Sequence, residues 1–155
     1  AYELSKTRKD FRIDWYGRTD EDAYSRKCRR LIRHLGLDAI FTLYDVVSDV
    51  DRVYRDSDIF CLPSFFEGTS NSLAEALACG MPIICGRVGD NILYVDEGKN
   101  GFLFDPRKPR SIAAAMDSVL NADLVAFGTA SRLIALRSFR SDNFEMSYSA
   151  LIQSI

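Results

Sequence analysis

Apolar positions along this chain recur with two periods, two residues and three to four, and the switches between them mark its elements. Phe11, Ile13 and Trp15 fall on alternate positions and end at Gly17, which predicts a strand over 11–17. Tyr24, Cys28, Leu31, Ile32 and Leu35 then repeat at helical spacing and should form the buried face of a helix. Thr19 is its expected cap, with Asp20, Glu21 and Asp22 in the first turn and Gly36 at its end. Ile40–Tyr44 reads as a short strand and Asp49–Tyr54 as a short helix. The run from Ile59 to Ser64, opening Ile59-Phe60-Cys61-Leu62, reads as the central buried strand. Ser72-Leu73-Ala74-Glu75 has the Ser-x-x-Glu form of a capping box, so a helix should start near Ser72, and Gly80 and Pro82 mark its end.

The same reading continues to the end of the chain. Pro82–Cys85 is a strand closed by Gly86, and Asn91–Val95 is a helical turn. Glu97-Gly98 and Asn100-Gly101 are turn chemistry before a last short strand, Phe102–Phe104. Pro109 suits a first helical position, with Ile112, Ala113, Met116, Val119 and Leu120 on the apolar face. Leu124, Phe127, Leu133 and Ile134 mark a second helix, which Gly128 weakens, and Phe144, Tyr148, Leu151, Ile152 and Ile155 mark a third. Residues 1–9 read as the polar end of a helix.

Strands alternating with helices predict an α/β fold: a Rossmann-like parallel sheet with helices on both faces, as one domain over 1–155. Right-handed crossovers put every strand-to-helix loop on one edge. Gly17-Arg18, Tyr44-Asp45-Val46, Phe66–Ser72 and Gly86–Asn91 would meet there, where ligands bind in such sheets.

Composition narrows the function classes. With 47% apolar and 27% charged residues the chain is a soluble globular type, and a net charge of −2 offers no global attraction to nucleic acid or anionic lipid. No apolar run is long enough to span a bilayer and no signal peptide is evident, so any membrane contact is expected to be peripheral or to come through a missing part of the protein, with a cytoplasmic location, at most at the inner face of the membrane. The cysteines Cys28, Cys61, Cys79 and Cys85 lie among apolar residues with no Cys-x-x-Cys pair and read as buried free thiols. His34 is the only histidine, so no metal site is expected. Arg29, Arg30, Arg33 and His34 read as a complement to a helix dipole and a solvated face. No Gly-x-Gly-x-x-Gly follows a strand, so dinucleotide binding is not expected; no cofactor is expected.

The chemistry concentrates between Glu67 and Glu75. The first lies beyond a strand end, after two aromatics and before Gly68, with no capping partner in sight. The second reads as the glutamate of the capping box. Backbone N–H groups at a helix start suit a phosphate, whereas carboxylates accept strong hydrogen bonds from hydroxyls. A ligand with hydroxyls beside its phosphates fits both, and a nucleotide-sugar is such a ligand. Gly68 would let a ligand approach closely or adopt positive φ.

Pro63-Ser64-x-x-Glu67-Gly68, seven residues between the two glutamates, and the ending Glu75-Ala76-Leu77-Ala78-Cys79-Gly80-Met81-Pro82 together resemble the donor-site motif of GT-B retaining glycosyltransferases of family 4, the glycosyl transferases group 1. The likeness extends through Val88-Gly89-Asp90-Asn91 and Asp96–Phe104, and more weakly along nearly the whole chain. The resemblance implies the C-terminal, donor-binding half of a two-domain enzyme whose N-terminal acceptor domain is missing here. That enzyme would transfer a hexose from a UDP-, GDP- or ADP-sugar to a saccharide or lipid-linked acceptor, with retention, as in bacterial surface polysaccharide synthesis. Glu67 would be catalytic, contacting the hexose and the positive charge that develops at its anomeric carbon. Backbone N–H groups of Gly68, Thr69, Ser70, Asn71, Ser72 and Leu73 would meet the diphosphate and sugar. Glu75 would hold the ribose, and Tyr44, Asp45 and Val46 the base. Alone, the chain would bind donor weakly and not turn over. Ser70 stands where many relatives have proline, and Ile92-Leu93 falls where they have Pro-Glu. A GT-B-fold epimerase acting on UDP-N-acetylhexosamine and a non-catalytic regulatory or scaffold domain are the alternatives.

Overall fold

The computed structural model describes residues 1–18 and 22–139. The chain divides into two compact units, Ala1–Val50 and Asp51–Ile155.

The first unit contains α1 (Tyr2–Ser5), β1 (Ile13–Tyr16), α2 (Ala23–His34) and β2 (Phe41–Tyr44). β1 and β2 pair in parallel, Ile13 opposite Phe41 and Tyr16 opposite Tyr44, as the period-two pattern predicts. α2 departs from expectation at both its start and its face. Asp22 is the cap, accepting the Ser25 N–H at 2.6 Å, so the helix begins after the expected Thr19, which lies outside the described residues with Asp20 and Glu21. Cys28, Ile32 and Leu35 are half-buried, but Tyr24 is 73% exposed and Leu31 53%. All five positions fall within a stripe about 100° wide, with Tyr24 and Leu31 at one edge and Cys28 and Ile32 toward the other, so it is the edge of the predicted face that is left exposed.

The second unit holds α3 (Val50–Arg55, starting at the boundary), β3 (Phe60–Leu62), α4 (Asn71–Ala78), β4 (Ile83–Gly86), α5 (Asn91–Tyr94), β5 (Gly101–Phe104), α6 (Pro109–Leu120) and α7 (Leu124–Ser138). Its sheet runs β3-β4-β5, all parallel. The central strand is therefore β4, with all four residues buried, and not the Ile59–Ser64 run. β3 has one neighbour in this sheet, is shorter than expected and exposes Cys61. Tyr54, Leu73, Ala76, Leu77, Met81, Ile83, Cys85, Ile134 and Ala135 form one buried cluster. Burying each leucine or isoleucine side chain there stabilises by about 1.5–3 kcal/mol.

α4 ends as its sequence predicts. Gly80 takes φ +72, its N–H meets Leu77 O and the Met81 N–H meets Ala76 O, both at 3.0 Å, a paired helix-terminating motif. Gly128, which weakens the helical pattern of α7, has a packing role: a Cβ there would collide with the Gly80 carbonyl, so its absence lets α7 lie against the end of α4. Pro109 occupies the first turn of α6 as expected. On α7, Phe127 and Ile134 are buried, whereas Leu133 faces solvent. The expected third helix lies outside the described residues.

The reading of four buried thiols also needs correction. Cys85 is buried, and desolvation pushes its thiol up to about 12. Cys28 is half-buried and Cys79 at the end of α4 is exposed, while Cys61 on the outer strand reaches the surface although desolvation by the surrounding protein pushes its thiol up to about 12. None is in a disulfide. Among the described residues no single helix is long and apolar enough to cross a membrane.

Candidate functional site

Because β3, β4 and β5 are parallel, the loops that follow them leave the same edge of the second unit's sheet. Glu67 lies in the first of these loops and is half-buried. Its carboxylate makes no hydrogen bond or ion pair among the described residues. Its backbone, by contrast, is tightly placed. Gly89, in the loop after β4, sits at φ +49, and a Cβ there would overlap the Glu67 carbonyl. Only glycine allows both that φ and that approach. A second tie joins the same loops, Thr69 Oγ1 donating to Asp90 Oδ2 at 2.7 Å. Phe65 and Phe66 beside Glu67 are exposed.

The cap of the helix that follows lies two residues earlier than the capping box predicts. Ser70 is the N-cap, with φ −79 and ψ 121, and its Oγ accepts the Leu73 N–H at 3.4 Å. The Ser72–Glu75 capping box does not form: Ser72 lies within the first turn, its Oγ 3.0 Å from Ser70 Oγ. Glu75 is thereby displaced beyond the capping position, and its Oε2 accepts the Tyr54 hydroxyl at 2.9 Å instead. The cap also explains the serine at 70, since a proline there carries no hydroxyl to accept the Leu73 N–H. Leu73 has its side chain in the core, and its N–H already meets Ser70. Asn71 and Ser72, at the first two helical positions, have no carbonyl one turn earlier within the helix for their N–H groups. Gly68 is exposed, lacks positive φ and would place a Cβ in open space, so of its two expected uses only room for a ligand remains.

The neighbouring loops are stiffened by polar contacts. Asn91 is fully buried and donates from Nδ2 to Gly86 O at 3.0 Å. Arg87 pairs with Glu97 at 2.6 Å, and the other Glu97 oxygen accepts the Leu103 N–H at 3.2 Å. The guanidinium, with that N–H, holds the Glu97 carboxyl below its usual range. A cleft of about 500 Å³ opens beside them between Phe65, Arg87, Leu103, Asp105, Arg107 and Ser111. The Arg107 N–H and the Lys108 ammonium lower the Asp105 carboxyl in the same way.

In the first unit, Tyr44, Asp45 and Val46 are exposed at the carboxyl end of β2. Asp45 Oδ1 accepts the Val46 N–H at 2.8 Å. The Tyr44 ring stacks on Tyr16 with centroids 4.8 Å apart and planes at 11°. Tyr16 and Tyr54 escaped the sequence reading of the site. Tyr16 had a signal, an aromatic closing β1 as Tyr44 closes β2; Tyr54 had none, because its partner is 21 residues away. Among the described residues no group of three His, Cys, Asp or Glu could hold a metal ion. The second unit's edge therefore offers a free carboxylate, a tethered carboxylate and helix-start N–H groups, which suit hydroxyls and phosphates.

Comparison with known proteins gives a consistent picture. The family model described as glycosyl transferases group 1 matches residues 1–122. A D-inositol 3-phosphate glycosyltransferase of Corynebacterium kroppenstedtii is 35% identical over 95 residues, 60% of this chain and 21% of that protein. Spore coat protein SA of Bacillus subtilis is 28% identical over 110 residues, 70% of this chain and 29% of that protein. The HepE protein of Anabaena, solved in complex with UDP, superposes with a TM-score of 0.86 at 18% identity, over 99% of this chain and 44% of HepE. Sucrose-phosphate synthase from Thermosynechococcus elongatus gives 0.83 at 20% identity, over 99% of this chain and 40% of its own. At such identities these structures share the fold, and the chain spans less than half the length of each of these relatives.

Proposed function

This chain belongs to the glycosyl transferases group 1, and from that premise we propose that it is the donor-binding part of a GT-B hexosyltransferase. The enzyme takes a hexose from a nucleotide-sugar and passes it, with retention, to a saccharide or lipid-linked acceptor. The observation that carries this reading is the Glu67 carboxylate, without a partner among the described residues while its backbone is locked against Gly89. Exposed carboxylates commonly bond only to water, but this one is half-buried and starts from a backbone locked at the sheet edge beside a helix start. It keeps its acceptor sites for a ligand's hydroxyls and for positive charge developing at the anomeric carbon. The N–H groups of Thr69, Asn71 and Ser72 take the diphosphate, Gly68 gives it room, and Glu75 takes the ribose hydroxyls. Tyr44, Asp45 and Val46 remain the base-contacting set on the motif resemblance. HepE, solved with UDP and with UDP-glucose, supports a nucleotide-sugar donor. Sequence outside this chain supplies the acceptor side, and the unpaired cysteines suit a reducing, cytoplasmic setting. The glycosyltransferase names of the relatives disfavour the epimerase reading.

Isothermal titration of the full-length protein with UDP-, GDP- and ADP-sugars tests the proposal. One donor class should bind saturably, and Glu75→Ala should weaken it. No binding by any of them, or hexose isomerised without an acceptor, would overturn the reading.

A further inference from the structure

Tyr54 reaches the start of α4 from the core. It is 8% exposed, its ring meets Phe60 edge-on at 6.1 Å between centroids, and it packs into the same buried cluster as Leu73, Ala76 and Leu77. From that fixed base its hydroxyl donates to Glu75 Oε2 at 2.9 Å and lies 3.4 Å from Ser72 O. Glu75 itself is on the exposed side of α4, past the capping position. Its Oε1 accepts no hydrogen bond among the described residues. An exposed glutamate normally samples several rotamers and keeps both oxygens in water. Here one oxygen is held by the hydroxyl of a buried tyrosine, and the other is left without a protein partner among the described residues.

We propose that Tyr54 is the positioning residue for Glu75: its hydroxyl holds Oε2 so that Oε1 is presented, already ordered, to the ribose diol of a nucleoside diphosphate. The inference rests on the ribose role given to Glu75 above. The free end of the pair favours it over a plain structural tie: a carboxylate that accepts one hydrogen bond at Oε2 keeps lone pairs on Oε1 to receive a hydroxyl, and no described residue takes them. Desolvation, and then the Glu75 carboxylate, raise the Tyr54 phenol above its ordinary value. Ordering one flexible side chain before the ligand arrives is worth about three- to tenfold in affinity.

The test titrates the full-length protein with UDP, GDP and ADP, and then with the 2′,3′-dideoxy form of whichever binds. Tyr54→Phe keeps the ring and removes the hydroxyl. It should weaken the natural diphosphate about three- to tenfold and leave the dideoxy form at its wild-type affinity. Equal weakening of both forms, or of neither, overturns the positioning role. If Glu75→Ala also leaves the natural diphosphate unaffected, the ribose role itself fails, so the two failures are separable. Should Tyr54→Phe not fold, 3-fluorotyrosine at position 54 reports in its place. Its fluorine resonance should move on adding the natural diphosphate and stay still with the dideoxy form, and an identical response to both contradicts the proposal.

Discussion

The loop that carries Glu67 and the helix that carries Glu75 both bring a carboxylate to the same sheet edge, by opposite means. In the loop the backbone is immobilised, by Gly89 beneath it and by Thr69 bonded to Asp90, while the carboxylate has no protein partner among the described residues. On the helix the backbone is held by ordinary helical bonds below a serine cap, and the side chain is tied to Tyr54. The difference separates two kinds of preorganisation. One fixes where a side chain starts and leaves its end free; the other fixes the end. Substitutions around the loop should therefore disturb position, and those around the helix should disturb orientation.

The sharpest way to break the loop side is Gly89→Ala. The new Cβ meets the Glu67 carbonyl at a residue held at φ +49. Strain and overlap together should cost about 2–5 kcal/mol. A thermal melt should show a clear loss of stability, and turnover should collapse with it. A milder disturbance of the same loop is Thr69→Val, which removes the bond to Asp90. This exposed contact is worth about 1 kcal/mol, and turnover should fall more than the melting temperature does. On the helix side, Ser70→Ala removes the cap and should cost about 0.5–1 kcal/mol by denaturant titration. The lower end is expected, because the bond to Leu73 is 3.4 Å long.

The effect that depends on pH comes from Tyr54. Its folded-state pKa lies above the ordinary 10.0, with burial the main cause and the Glu75 hydrogen bond next. Its contribution is thus complete below pH 10.0 and is lost as pH rises further, because the unfolded chain then releases a proton that the folded one retains. Stability of the wild type should decline more steeply than that of Tyr54→Phe above that point and in parallel with it below. Parallel curves throughout would show that the phenol is not held as the geometry implies.

What could be read from sequence follows the range of the forces involved. Strand positions and the end of α4 were legible, because alternation and a glycine at a helix stop are local signals. Which strand is central was not, since it depends on strand order: the Ile59–Leu62 run looks buried by composition yet forms an outer strand of its sheet. The start of α4 was missed because Ser70 and Ser72 both offer a capping hydroxyl, and a distant group, Tyr54, draws Glu75 away from the box that would favour Ser72. On α2, hydrophobic spacing identified a helix but widened its buried face to include Tyr24 and Leu31. The freedom of Glu67 was legible in outline, as an acid past a strand end with no capping partner, whereas the Gly89 contact that places it required the fold.

The decisive measurement is steady-state glycosyl transfer by Glu67→Gln in the full-length protein, with the donor selected by titration and a thermal melt alongside. We expect kcat to fall about a hundred- to a thousandfold with the melting temperature unchanged, because this carboxylate bonds to nothing in the described fold. Wild-type turnover, or a loss of activity that merely tracks a loss of stability, would contradict the assignment of Glu67 as the functional carboxylate.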